Sequence, residues 1–220
     1  MQSFLHDAKH LGSYFASHGQ KITYKKHQCL IRPEDDNPWV YYLASGFVDV
    51  AFSFNTGERR LIGFFIPGST FAQSGSFFKD EGGGLEYTAI TDTIVYRLAR
   101  TDFFELMRKE TNLNEDYLMT LLKNQLFLID RVVYQGESGI RRKVLRWLLF
   151  MSKYYCEKSD KYDCKIAVPL TQEMIADFMH TSRESVSKTI HALTVKDFIH
   201  VEKKHIIIHS IDALRSELET

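Results

Sequence analysis

Between Asn114 and Gln135 the chain places Leu118, Leu121, Leu122, Leu126, Leu128, Ile129, Val132 and Val133 so that spacings of three and four recur. That period is helical, and some twenty residues at 1.5 Å each make a rod about 30 Å long. The apolar stripe is wide, with Lys123 and Asp130 among its few charges. A helix apolar on two faces needs two partners. The rest of the chain supplies one, and the same helix of a second subunit is the natural other. A helix buried inside a single subunit is the alternative.

The sequence before this helix reads differently. From Lys21 to Leu98, short β-branched and aromatic runs (His27–Ile31, Trp39–Leu43, Phe47–Phe52, Arg60–Phe65, Tyr87–Ile90, Thr93–Leu98) alternate with turn residues. Many short strands at close spacing indicate a small barrel or sandwich. Asn55-Thr-Gly57 signals a hairpin, and Gly82-Gly-Gly84 reads as a loop. Thr101 is expected to cap the next helix, with Glu105 in its first turn. Gly136-Glu-Ser-Gly139 breaks the long helix and marks a boundary. A basic amphipathic helix is expected from Ile140 to about Glu157, then a polar loop from Ser159 to Cys164. The expected domains are 1–112, a sensing β-barrel with flanking helices; 113–136, the long helix; and 137–220, a C-terminal helical domain.

Lys and Arg number 28, as do Asp and Glu, so no global basic field announces a nucleic-acid partner. Residues 139–220 carry 14 Lys and Arg against 11 Asp and Glu, a mild basic asymmetry. No apolar run approaches the ~20 residues that span a bilayer, and the N-terminus shows no export signal, so a cytoplasmic protein with no membrane partner is expected. Cys29, Cys156 and Cys164 are irregularly spaced, with no CxxC, and read as reduced thiols rather than a disulfide.

The tail carries the chemistry. Thr171 is expected to cap a helix opened by Gln172 and Glu173, with Ile175, Ala176, Phe178 and Met179 facing inward. Met179-His-Thr181 fits a three-residue turn. Ser182 then caps a second helix, with Ser185 three positions on, and Val186, Ile190 and Leu193 face inward. Arg183, Glu184, Ser187 and Lys188 fall on its outer side, where a recognition helix meets the major groove. Arg and Lys can donate to guanine or phosphate, Glu can accept from a cytosine amino group, and Ser can bond either a base edge or a phosphate. Phe198–Val201, the Glu202–Lys204 turn and His205–His209 form a hairpin, or wing. A solvated helix face would show similar residues; the order helix, turn, helix, wing favours double-stranded DNA. Lys203, Lys204, Arg141 and Arg142 are further phosphate candidates.

The stretch from Leu170 to Lys188, centred on Ser182-Arg-Glu-Ser-Val186, resembles the helix-turn-helix signature of the Crp/Fnr regulators. Tyr41–Val50 resembles a strand–turn–strand of that family's cyclic-nucleotide-type barrel, and Phe64–Gly68 the turn ahead of its effector cassette. The resemblance implies an α+β fold: an N-terminal antiparallel jelly-roll β-barrel, a long dimerisation helix and a C-terminal winged helix-turn-helix. It further implies a homodimer on a roughly palindromic site, contact with RNA polymerase and effector control. Two positions depart from the family: His180 stands where its turn usually has Gly, and Lys188 where it usually has Arg.

Against that background no cofactor is expected. The cyclic-nucleotide members use a Glu for the ribose and an Arg-Ser pair for the phosphate; the corresponding places here read Ala72-Gln-Ser74 and Gly83-Gly84. A buried phosphate needs a cation or helix N-terminus, so the effector is expected to be something other than cyclic AMP. Three cysteines are fewer than the four that commonly ligate an iron–sulfur cluster. His6, His10, His18 and His27 read as surface residues rather than haem ligands. An apolar small molecule would be held by Phe64, Phe71, Gln73, Ser74, Tyr87, Leu122 and Gln125; alternatively these aromatic residues simply fill the barrel. Paired catalytic carboxylates, phosphate-cradling loops and metal-ligand spacings are missing, so an enzyme is not expected. A protein-binding module that ignores DNA is the second rival.

Overall fold

The structure, a computed structural model, describes residues 9–72 and 83–219. It divides into two compact units that meet in sequence between Lys123 and Asn124. The first contains α1 (Lys9–His18), β1 (Gln20–Tyr24), β2 (Cys29–Ile31), β3 (Trp39–Ser45), β4 (Val48–Phe54), β5 (Arg59–Phe65), β6 (Thr70–Phe71), β7 (Gly83–Ala89), β8 (Thr93–Ala99) and α2 (Arg100–Lys109). It also contains the start of α3 (Thr111–Gln135).

Its strands form two four-stranded antiparallel sheets, β1-β8-β3-β6 and β2-β7-β4-β5. Apolar residues of both sheets share one core, among them Leu43, Phe71 and Val95 from the first and Ile31, Val48, Val50 and Tyr87 from the second. The expected barrel is thus a pair of facing jelly-roll sheets rather than a closed ring. The edge strands β2 and β6 have only three and two residues, too short to carry the ladder around. A second cluster joins Leu11 and Phe15 of α1, Phe103, Leu106 and Met107 of α2, and Leu113 and Tyr117 of α3.

Two expectations fail in this unit. Helix α2 starts before Thr101, and its N-cap, Ala99, makes no side-chain cap bond. The Arg100 amide donates instead to Pro38 O at 2.7 Å, which satisfies one N-terminal group without a capping side chain. Gly83 and Gly84 are strand, not loop, and pair with Phe54 and Ser53 of β4.

The second unit holds the remainder of α3, then α4 (Ile140–Tyr154), β9 (Cys156–Ser159), β10 (Tyr162–Ile166), α5 (Gln172–Met179), α6 (Arg183–Val195), β11 (Ile199–Glu202), β12 (His205–Ile208) and α7 (Ile211–Glu219). Its sheet runs β11-β12-β10-β9. The expected polar loop at Ser159–Cys164 is a hairpin, and α4 stops at Tyr154 because Cys156 already belongs to β9. Trp147, Leu148, Met151, Ile166, Phe178, Ile208 and Leu214 are buried at its centre.

The end of α3 is welded into this core. Phe127 lies 4.9 Å from Phe150 and 5.1 Å from Tyr154, ring centre to ring centre. Asp130 accepts hydrogen bonds from Lys153 and Tyr154. Burial pushes the Asp130 carboxyl up, but those two bonds more than offset it and hold it below the usual carboxylate range. The Arg131 guanidinium sits 4.2 Å over the Phe178 ring of α5. The Gly136–Gly139 break, with Gly139 at φ 80°, is clamped by Glu137, which accepts from Arg142 at 3.2 Å and from Arg146 at 2.7 Å. Among the described residues, no helix is long and apolar enough to cross a membrane.

Candidate nucleic-acid interface

Helices α5 and α6 are each started by a side chain. Thr171 Oγ1 accepts from the Met174 amide at 3.1 Å, and Ser182 Oγ accepts from the Ser185 amide at 3.2 Å. Ser182 Oγ also meets Ser185 Oγ at 2.8 Å. Each bond satisfies an amide that the helix itself leaves free. Between the helices His180 adopts the left-handed conformation, φ 50° and ψ 54°, where a side chain costs backbone energy. The Thr181 amide returns to Ala176 O at 3.0 Å and fixes the turn.

The outer face of α6 follows. Val186, Ile190 and Leu193 are buried against α5 and its surroundings, leaving Arg183, Glu184 and Lys188 exposed and Ser187 half-buried. Thr171 and Gln172 are half-buried at the head of α5. Five of the seven expected DNA-contact residues therefore lie in or beside the first turns of α5 and α6, and Ser187 and Lys188 lie in the second turn of α6. Glu184 and Lys188 form an ion pair at 2.6 Å. The same face continues from Glu184 and Lys188 through His191 and Val195, both exposed; their successive spacings of four, three and four are a helical period readable from the sequence.

The wing is present as β11 and β12, with Lys203 and Lys204 exposed at its tip, both at positive φ. Leu170 N donates to Lys204 O at 2.7 Å, tying the wing tip to the residue before the α5 cap. The other basic candidates are engaged elsewhere: Arg141 pairs with Glu217, and Arg142 donates to Leu218 O at 2.9 Å as well as to Glu137.

The expected effector residues are only partly brought together. Phe71 stacks between Tyr41, Phe65 and Tyr87, at 5.3, 5.1 and 5.4 Å between ring centres. Burial pushes the Tyr87 phenol up to about 12, against a bond to the Ala72 backbone. Phe64 does not join this stack: it pairs with Asp49 on the opposite face, and Phe65 takes the inner position opposite Val48. Leu122 and Gln125 are exposed on α3. Gln73 and Ser74 lie outside the described residues.

Gly83 and Gly84 run close against neighbouring residues. A Cβ on Gly83 would stand 2.4 Å from Ser53 O, and one on Gly84 would stand 3.0 Å from Pro33 Cβ. Cys29 and Cys156 are half-buried and Cys164 is buried.

Comparison with known proteins agrees with this geometry. Residues 21–110 match the cyclic nucleotide-binding domain family and residues 142–217 the Crp-like helix-turn-helix domain family. The transcriptional activator protein FnrL of Cereibacter sphaeroides is 22% identical over 199 residues, covering 89% of this chain and 79% of that protein. A CooA mutant from Carboxydothermus hydrogenoformans shares the fold at a TM-score of 0.78 and 14% identity, over 99% of this chain and 96% of that one. FixK2 from Bradyrhizobium japonicum does so at 0.71 and 19%, over 90% and 96%. The fold and the paired reading helices define a DNA-binding transcription regulator with a cyclic-nucleotide-binding-like domain. The chain belongs to the Crp/Fnr family.

Proposed function

We propose that this regulator works in the cytoplasm as a homodimer. It reads a roughly palindromic DNA site through Ser182, Arg183, Glu184, Ser187 and Lys188, with Thr171 and Gln172 holding the backbone. It carries out no chemistry of its own and signals through contact with RNA polymerase. The observation that carries the reading is the α6 N-terminus: capped, exposed, and presenting an acid and two bases within its first two turns. The exposed apolar residues of α3 support the dimer, because Val132 and Val133 are 70% and 72% accessible in the single chain.

The control signal is a small molecule other than cyclic AMP, and no iron–sulfur cluster is needed. The reading against cyclic AMP is supported by Gly83 and Gly84, where a side chain would crowd Ser53 O and Pro33. The cysteine count supports the second point: the chain has three. Coupling to DNA follows from the contacts of α3. A rotation of α3 that an effector favours is carried to α4 by Phe127 and Asp130, and to α5 by Arg131 over Phe178.

Selection of genomic fragments by the purified protein at fixed salt tests the proposal. The expected result is an inverted repeat with half-sites about 34 Å apart. Fragments bound without sequence preference, with or without cell extract, would remove the site-specific reading.

A further inference from the structure

The β9–β10 hairpin brings two thiols together that the sequence spacing gave no reason to pair. Cys156 opposes Ile166 in the ladder, and Cys164 lies two residues along the same face of β10, diagonal to Cys156. The Cys156 thiol donates to the backbone oxygen of Asp163, the residue beside Cys164, at 3.6 Å. Cys164 is fully buried, whereas Cys156 is half-buried on the outermost strand of the sheet. We propose that Cys156 and Cys164 are a peroxide-sensitive dithiol that closes to an intramolecular disulfide across this hairpin.

The two thiols have unequal roles. The neighbouring Cys164 thiol holds the Cys156 thiol below its ordinary value against the effect of burial, and Lys158 adds to this. The neighbouring Cys156 thiol and burial both push Cys164 up. Cys156 is thus the accessible sulfur that reacts first, and buried Cys164 the thiol that resolves it. In the first step Cys156 sulfur attacks hydrogen peroxide. The O–O bond breaks, hydroxide leaves and is protonated to water, and Cys156 becomes a sulfenic acid. In the second, Cys164 sulfur attacks Cys156 sulfur; the S–O bond breaks and the Cys164 proton departs with the oxygen as water. Two thiols and one peroxide give one disulfide and two waters, and a cellular dithiol reverses the change.

The geometry requires a small movement. Diagonal residues in a ladder stand about 7–8 Å apart, and a disulfide joins Cα atoms about 4.4–6.8 Å apart. Strand β9 can supply the difference, because among the described residues it is an edge strand paired with β10 alone, and the register already shifts between Tyr162 and Lys165. Asp163, next to Cys164, accepts from the Ile211 amide of α7 at 2.8 Å, and the Ala167 amide binds Tyr155 O at 2.8 Å on the way to the Thr171 cap. Oxidation therefore shifts the frame that carries α5 and α6; this consequence for DNA rests on the proposed function, while the disulfide itself does not.

Treating the full-length protein with one equivalent of hydrogen peroxide, then digesting it with trypsin, tests the dithiol. Lys158 and Lys161 separate the cysteines, so only a disulfide joins their peptides. The expected result is a linked pair that dithiothreitol releases, with Cys29 still open to alkylation because burial and Glu86 hold its thiol protonated. Cys156→Ser should abolish the link. Cys164→Ala should stop at a sulfenic acid that dimedone traps, and should slow the peroxide reaction several-fold. Separate peptides with Cys156 over-oxidised, or Cys29 reacting first, would overturn the proposal. DNA affinity of the reduced and oxidised forms is measured alongside. A linked pair with unchanged affinity ends the regulatory arm alone, and loss of DNA binding in both forms counts against the proposed function instead.

Discussion

Lys188 Nζ lies 2.6 Å from Glu184 Oε1, one helical turn apart on α6, and both side chains are about three-quarters exposed. An ion pair this open contributes about 0.3–0.5 kcal/mol, which a base edge or phosphate readily replaces. In the free protein each partner therefore masks the other's charge, and DNA must part them. Glu184→Ala should relax base preference at one position by about 1–3 kcal/mol while leaving Lys188 free for phosphate, so non-specific affinity holds or rises. Lys188→Ala should weaken every sequence and flatten the salt slope by about one unit if its contact is a phosphate. Site selection and salt titration of both variants separate these roles; an unaltered site preference in Glu184→Ala removes it from the readers.

The two caps should matter for stability in equal measure. Thr171→Ala and Ser182→Ala each delete one oxygen that satisfies a first-turn amide, at about 1 kcal/mol apiece. Thr171→Ser and Ser182→Thr keep the oxygen and should cost only a few tenths. Urea unfolding followed by helix signal measures this. An alanine loss no larger than that of the conservative variant would show that the caps contribute nothing there.

These caps also mark what was legible in the sequence. Thr171, Ser182 and the inward Val186, Ile190 and Leu193 were readable because a cap and a helical period are local signals. The start of α2 was not, because its amide is satisfied by Pro38, more than sixty residues away in sequence. The β9–β10 hairpin was hidden because its outer strand, Cys156–Ser159, has no buried residue and carries no apolar alternation. Phe65 was missed in favour of Phe64 because the β4–β5 register shifts between Val50 and Ala51, which breaks the period of two that assigns faces. The glycines at 83 and 84 suggested a turn, whereas their small size serves close approach to the Ser53 and Pro33 backbones.

Asp49 gives the sensor unit a pH signature. Its carboxyl is raised to about 6, first by burial, against the Arg59 guanidinium bonded at 2.7 Å, with Glu86 nearby raising it further. The folded value lies above the unfolded one near 4. Between those values the folded state holds a proton that the unfolded state has released. This contribution to stability is therefore present at low pH and is lost as pH rises from about 4 to 6, by roughly 3 kcal/mol at most. Asp49→Asn removes it. Unfolding free energies of the variant relative to the parent should climb across that window and level off above it. Parallel curves would show that Asp49 is ionised alike in both states.

His180 stands where a helix usually ends on glycine. At φ 50° its Cβ crowds the backbone, a conformation glycine adopts freely. His180→Gly should raise stability by up to about 1 kcal/mol, less the extra entropy glycine brings to the unfolded chain. Thermal melting detects it. A lower midpoint would mean that the imidazole contributes more to the fold than its backbone costs.

The α3 stripe makes the strongest claim about assembly. Leu118, Leu122, Ile129, Val132 and Val133 are each more than half exposed in the single chain, an apolar surface that water does not favour. Burying each side chain against a partner helix contributes about 1.5–3 kcal/mol before the cost of association. A carboxylate placed in such a seam must either be desolvated or hold the helices apart. Ile129→Glu and Val132→Glu should each turn a dimer into a monomer in sedimentation, while near-ultraviolet spectra keep the packing of the subunit. Binding to an inverted repeat should then fall far more than binding to one half-site, because two linked reading heads gain from effective concentration and one does not. A parent protein that sediments as a monomer at every concentration would instead leave the stripe without its proposed partner.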